Sequence, residues 1–427
     1  MFGPVQKALD QRIAIEPARA AGLSDLFELL QKQGLPQPRD EAWRYAPIRN
    51  LESQPLAPSS DFSDRKALDA LALLQLPPLL PGYARIVIVD GAIAASLCDF
   101  VPTTRSSDLP TRTSGNADKT TETLTHNSFA LLGRLLARSP LRIELGSDSP
   151  PRLQCVFVTT RAGLSGMAPT QVELQIHTSN RVDLVEEHVS LTGAGTFSNH
   201  VLDASLGANA NLAWTRVLAP AADARHFETV HLTLAAGAAA HLTQLVPGNE
   251  ALRSTLIASL SGAESHLKLH SVVLGDGSQQ LDQHVLIDHR APGVRSDEIY
   301  RGLATGRARV SFTGHNRVLP SAPQTDTRQS LRSLITGDGA EAIARPQLEI
   351  LTDAVKASHG ATVGTLDSGM MFYLLSRGLD PLTAQSLLKW AFLQDVLSHL
   401  QPAELRSRIE SLLLARLRDP KLMELAR

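Results

Sequence analysis

The side chains best suited to chemistry in this chain are its histidines, and one of them sits in an unusual string. His359 lies in Pro346-Gln-Leu-Glu-Ile350 … Lys356-Ala-Ser-His-Gly-Ala-Thr-Val-Gly364, between a β-rich region and a helical tail. A neutral imidazole is a good transition-metal ligand, and its affinity depends on pH because the proton must leave first. Taken alone, a histidine before glycine has a plainer reading, a hydrogen-bonded or capping side chain at a β-to-helix junction. Three other pairs, His226 and His231, His266 and His270, and His284 and His289, are spaced by four or five. In strands such spacing only sometimes puts both rings on one face. No cysteine or carboxylate set completes a recognisable site around them, so they are expected to be ordinary surface or rung-edge histidines. Gly302-Leu-Ala-Thr-Gly306 and Leu274-Gly-Asp-Gly-Ser278 lack the G-x-x-x-x-G-K-[ST] pattern, so ATP is not expected to be hydrolysed here. No G-x-S-x-G elbow and no Cys–His nucleophile arrangement is present.

The bulk numbers exclude other classes. The 427 residues carry 41 basic and 43 acidic side chains, which gives no electrostatic reason to expect nucleic acid or an anionic membrane. Two cysteines, Cys98 and Cys155, support neither a disulfide framework nor an all-thiolate metal site. Met1 to Glu16 lacks a basic start followed by an apolar run, so no secretion signal is expected. No run of about 18 apolar residues occurs, so no membrane span is expected, and a cytoplasmic setting is the default.

The elements that must position these residues fall into three regions. Residues 1–80 look helical, with Ser24 as cap of a helix through Asp25–Gln33 that Gly34 and Pro36 stop. Residues 81–364 form a β core. Arg85–Val89 followed by Asp90-Gly91 predicts a strand and tight turn. Residues 102–126, rich in Thr, Ser, Asp and Arg, predict a mobile surface loop. A short helix follows over Ser128–Ala137. From about Arg152 short strands alternate with turns, for example Leu153–Val158, Gln171–Ile176 and Leu281–Ile287. Gly-Ala pairs start at 207, 237 and 262, each between two apolar segments. Repeated corners at one coil length predict stacked rungs, with a β-sandwich as the competitor. Residues 365–427 are helical: an apolar segment Gly369–Arg377 ends at Gly378, and Asp380-Pro381 starts the next helix. Leu388, Phe392, Val396 and Leu400 fall four apart there, and Leu405, Ile409, Leu413 and Leu417 share a face of the last helix.

Several strings occur in order: Gln324-Thr-Asp-Thr-Arg-Gln329, Pro346-Gln-Leu-Glu-Ile350, Ser358-His-Gly-Ala-Thr-Val-Gly364 and Phe372-Tyr-Leu-Leu-Ser-Arg-Gly378, with Glu41-Ala-Trp-Arg-Tyr45 and Tyr300-Arg-Gly302 upstream. In these the chain resembles the SufB/SufD family of iron–sulfur cluster assembly proteins, densely from about Ser296 to Leu400. It resembles the SufD branch more. The SufB branch carries further cysteines, one of them near the end of the β core, and this chain has none there.

The resemblance implies a mainly β fold, a right-handed parallel β-helix flanked by N-terminal and C-terminal helical regions. It implies a non-catalytic scaffold that pairs with a SufB-like paralogue and docks a SufC-like ABC ATPase, which hydrolyses ATP; a homodimer can form when the paralogue is absent. It places His359 at the family's ligand position, for iron or a nascent cluster shared with the partner. The family often has a cysteine two residues earlier, where this chain has Ala357, so sulfur ligands would come from the partner. Glu349, Asp353 and Asp367 could relay protons or hold iron transiently, although solvated or capping carboxylates are the ordinary outcome. Lys356 could meet a sulfur species or a flavin phosphate, with an exposed lysine the simpler reading. The complex is implied to use reduced flavin, for which no residue here marks a site. The dock for the ATPase is expected on the tail at Phe372, Tyr373, Leu388 and Phe392, with Arg377, Asp380 and Lys389 as polar rim. The competing function is an independent β-helix enzyme acting on polysaccharide, whose expected cluster of acidic and basic groups on one solenoid face is missing from the strand repeats.

Overall fold

The computed structural model describes residues 3–15, 20–48, 73, 75–101, 127–137, 140–160, 167–177, 179–190 and 195–417. The predicted loop at 102–126 lies outside these. Among the described residues, eighteen strands run in chain order as β1 (Ala84–Val89), β2 (Ala92–Ile93), β3 (Leu141–Leu145), β4 (Arg152–Thr159), β5 (Met167–Ile176), β6 (Arg181–Ser190), β7 (Phe197–Leu206), β8 (Asn211–Leu218) and β9 (Arg225–Leu234). They continue as β10 (Ala239–Val246), β11 (Ala251–Leu260), β12 (His266–Gly275), β13 (Gln280–His289), β14 (Arg295–Ala304), β15 (Arg309–Val318), β16 (Asp326–Ile335), β17 (Glu341–Ile350) and β18 (Lys356–Gly364). The helices are α1 (Gly3–Ile15), α2 (Ala20–Gln33), α3 (Ser128–Leu136), α4 (Ser368–Ser376), α5 (Pro381–Leu397) and α6 (Ala403–Leu417).

Even- and odd-numbered strands separate. One sheet has the order β18-β16-β14-β12-β10-β8-β6-β4-β1-β2 and the other β17-β15-β13-β11-β9-β7-β5-β3. Every pairing is parallel except the β1–β2 hairpin, where Asp90 (φ 47°) and Gly91 (φ 79°) make the tight turn. A chain that alternates between two parallel sheets is a β-solenoid, which excludes the sandwich. Along the odd sheet the register steps from 26 residues (Arg225 to Ala251) to 32 (Arg309 to Glu341). One continuous apolar layer, including Leu212, Leu242, Leu269, Leu232 and Leu260, fills the space between the sheets.

The Gly-Ala repeat marks a real corner but not a strict register. The left-handed corner position passes from Asn209 (φ 59°) to Gly237 (φ 66°), Glu264 (φ 57°), Gly293 (φ 69°) and Gln324 (φ 61°). Backbone bonds join each to the next corner, as from Gly237 N to Ala263 O and from Glu264 N to Pro292 O. Gly237 occupies that position, whereas Gly207 and Gly262 lie two residues before it. Gly262 is required for space: a Cβ there would lie 1.9 Å from the Ala236 backbone nitrogen.

Helices cover the outer faces. α2 begins at Ala20, so Ser24 lies inside it and is not the predicted cap. The longer helix places Leu23, Phe27 and Leu30 on one stripe facing the core. α3 packs with this stripe on the odd sheet through Phe129, Phe197 and Phe227. The Glu41–Tyr45 motif is an anchor: Trp43 lies 4.6 Å from the Arg253 guanidinium, and Arg345 donates to Glu41 Oε1 at 2.9 Å. α5 and α6 cover the even sheet, with Leu393, Val396, Leu397, Leu405, Ile409 and Leu413 against Val217, Leu245, Val272 and Leu303. Arg408 to Glu187 (2.5 Å) and Arg301 to Asp395 tie the same layers.

Candidate functional site

The solenoid ends on an open rung. β17 pairs only with β15 and β18 only with β16 among the described strands. Both keep a free edge, which offers a row of unpaired backbone groups to another chain. His359 is exposed in the middle of β18, so it lies within the last strand rather than at a β-to-helix junction. Its register partner is Gln329, whose own partner is Glu298. Tyr300 and Leu331, two residues farther along β14 and β16, belong to the layer between the sheets. The period-two alternation of strands therefore puts Glu298, Gln329 and His359 on the same inward face, at successive rungs. Glu298 is fully buried, and that burial pushes its carboxyl up to about 8, against a smaller opposing pull from Gln329. A neutral acid, an amide and an exposed imidazole thus line the last three rungs.

The neighbouring candidates separate. Glu349 sits 3.4 Å from His315, as an ion pair when that ring is protonated. Asp367 caps α4 by accepting from Met370 N at 2.7 Å. Asp353 and Lys356 are exposed. On the tail, Phe372 (74% exposed) and Tyr373 (59% exposed) stand out from α4, with Arg377 exposed beside them. The other four turn toward their own chain. Asp380 caps α5 through Thr383 N at 3.0 Å and its Oγ at 2.9 Å. Leu388 is half-buried, and Phe392 packs on the layer beneath α5. Burial lowers the pKa of Lys389, with Asp276 pulling the other way.

The histidine pairs are a correction. His226, His270, His284 and His289 are buried, not surface residues. Where the N- and C-terminal regions cover the outer faces of the sheets, strand alternation does not separate buried from exposed side chains. His226 and His231, five apart, point to opposite faces; His231 instead meets Asp203 at 2.7 Å. His226 joins two residues that spacing did not flag, His188 and His200, with ring centroids 4.8–5.1 Å apart. Beside them Arg216 Nη2 donates to Glu186 Oε1 (2.7 Å) and Glu228 Oε2 (2.8 Å). These residues come from β6, β7, β8 and β9, and only stacking of both sheets assembles them.

Comparison with known proteins decides the family. The SufBD core domain of SUF-system FeS cluster assembly matches residues 157–392, more than half of the chain. The chain belongs to the SufBD family. It is 27% identical over 388 residues to the iron–sulfur cluster assembly protein SufD of Escherichia coli, covering 90% of this chain and 89% of that protein. It is 22% identical to the SufBD family protein slr0076 of Synechocystis, over 92% of each. To the Arabidopsis thaliana protein named ABCI7, chloroplastic, it is 23% identical over 94% of this chain and 88% of that protein. The SufBD match spans from β4 into α5, so it covers both the open rung and α4. Family membership replaces the polysaccharide-enzyme alternative with iron–sulfur cluster assembly. Among the described residues no helix is long and apolar enough to cross a membrane.

Proposed function

We propose that this SufBD-family chain is a non-catalytic, cytoplasmic scaffold subunit of a SufBCD-type complex. The open final rung pairs with a SufB-like paralogue, and His359 offers an imidazole there to iron or a nascent cluster. The tail docks a SufC-like ABC ATPase, which supplies ATP hydrolysis. The observation that carries this reading is the exposure of His359 on an edge strand whose outer backbone groups face no other described strand. An imidazole buried in its own fold could not be shared. Ala357 supplies no thiolate beside it, so the sulfur ligands come from the partner. α4 supports the docking half, since its nine residues Ser368–Ser376 include no buried one. Of the tail residues, Phe372, Tyr373 and Arg377 form the contact surface. Asp380, Leu388, Lys389 and Phe392 hold α5 in place behind it. Reduced flavin, if the complex uses it, is bound elsewhere than in a site built by this chain alone.

The test is co-expression with the paralogue and the ATPase. The His359→Ala chain is expected to co-purify with both partners but to support little cluster maturation in cells. Unchanged maturation removes His359 from the mechanism, and failure of the wild-type chain to bring down either partner removes the scaffold reading.

A further inference from the structure

The polar cluster inside the solenoid is not needed by any part of the reading above. Glu186, His188, Arg216, His226 and Glu228 are each no more than 4% exposed, and His200 is 7% exposed. Such groups are costly to bury and persist only when paired. Most are: His188 Nε2 lies 2.5 Å from Glu186 Oε1, His226 Nε2 lies 3.1 Å from Glu228 Oε2, and Ser198 Oγ lies 2.8 Å from His226 Nδ1. Trp214 and Ser254 donate to Glu186 and Glu228 at 2.9 and 2.6 Å. Two atoms are not paired: His188 Nδ1 and His200 Nδ1 are buried without a hydrogen-bond partner. Next to His200 is a cavity of about 10 Å³, lined by Glu186, His200, Arg216 and Glu228 together with apolar side chains, which is room for about one water.

Charge points the same way. Burial alone would raise Glu186, but Arg216 and His188 hold it down to about 2, and Glu228 is likewise held well below the usual carboxylate range by Arg216 and His226. Two carboxylates therefore face one guanidinium.

We infer that this interior is a binding site for one divalent transition-metal ion of the zinc or iron(II) class, held by His188, His200 and His226. Glu228 completes the coordination, since Glu186 is taken up in orienting His188. One ligand atom from each of the three histidines lies within 4.8 Å of the others, and the same holds for Glu186, His188 and Glu228. A tetrahedral ion with ligands at about 2.0–2.1 Å draws its donors to roughly 3.4 Å apart, a closure that ring rotation supplies. The contact of His188 Nε2 with Glu186 is the carboxylate–histidine pairing that orients a ligand ring through its far nitrogen, leaving Nδ1 for the ion. With two sheets closed around it, the ion is acquired as the chain folds and then exchanges slowly.

The site is independent of His359, and its test can be kept so. The full chain is expressed without its partners in medium supplemented with zinc, dialysed against EDTA, and analysed for metals by mass spectrometry, both as wild type and as His359→Ala. About one ion per chain is expected in both. His200→Ala is expected to lose the ion, and Glu186→Gln to hold it about 10- to 100-fold more weakly. If those variants do not fold, X-ray absorption of the wild-type ion decides: a shell of nitrogen and oxygen alone supports the site. A sulfur shell, absence of retained metal in the wild type, or loss of the ion in His359→Ala overturns it.

Discussion

Two nine-residue apolar helices of this chain have opposite surroundings. α3, Ser-Phe-Ala-Leu-Leu-Gly-Arg-Leu-Leu, has every residue buried, whereas α4, Ser-Gly-Met-Met-Phe-Tyr-Leu-Leu-Ser, has none. Both are capped at their first turn, by Asn127 and Asp367. α3 lies against α2 and the odd sheet, and Gly133 permits its closest approach: a Cβ there would fall 2.5 Å from Val201 Cγ2. α4 follows the last strand and touches α5, yet none of its residues is buried. Composition alone would have assigned both to a core. An apolar helix that its own fold leaves bare points to a partner surface, and the comparison becomes a test of which apolar residues serve folding and which serve assembly.

The largest effect should fall on the covered helix. Phe129→Ala removes a ring packed 4.6 Å from Phe227 and 5.6 Å from Trp43. It is expected to cost about 3–5 kcal/mol in urea unfolding. Phe372→Ala, the same deletion on α4, is expected to change stability by no more than about 0.5 kcal/mol. In the proposed assembly it weakens ATPase binding by about 2 kcal/mol or more, measured by titration calorimetry. Equal stability losses for the two variants would mean that α4 is also covered by its own chain.

The same contrast runs along the solenoid, from covered Glu298 to exposed His359. Unfolded Glu298 loses its proton near 4.5, and the folded group holds it up to about 8. Between those values the unfolded chain binds fewer protons, so this group's contribution to stability is lost as pH rises through that window and levels off above it. Glu298→Gln cannot ionise. The gap between variant and wild-type stability is therefore expected to widen in the variant's favour by on the order of a few kcal/mol from pH 5 to pH 8. A constant gap would show that Glu298 is ionised in the folded chain.

Local signals were legible in the sequence and stacked ones were not. Asp380-Pro381 after Gly378 marked the start of α5 correctly, because cap, first-turn proline and left-handed glycine (φ 91°) act within a few residues. Asp90-Gly91 marked its hairpin for the same reason. The rung-like corners were legible as a repeat, yet their register was not, since Asn209, Gly237 and Glu264 share one conformation with three different side chains. His359 was legible only through its family string; its exposure follows from being on the last strand. The Glu186–Arg216–Glu228 network was invisible, because its members lie 30 and 12 residues apart and meet only across two sheets. The tail helix was half legible: the four-residue spacing of Leu388, Phe392, Val396 and Leu400 identified a helix, but Leu388 and Phe392 are only half-buried and its buried side also takes in Leu393 and Leu397.

The smallest predicted effect separates local from global order in the two helices. Asn127 Oδ1 accepts from Phe129 N and Ala130 N, both at 3.0 Å, and its amide donates to Thr229 Oγ1 at 3.0 Å. Asn127→Ala strips a cap that is also tied to β9, so about 1–2 kcal/mol should be lost from global unfolding. Asp367→Ala removes only the bond to Met370 N on an uncovered helix. Its cost of about 1 kcal/mol should appear as faster amide exchange within α4 while the urea midpoint stays put, because local opening there does not require the solenoid to unfold. A shift of the midpoint in Asp367→Ala as large as that in Asn127→Ala would show that α4 folds as one unit with the β core, and the contrast between the two helices would then lie in exposure alone.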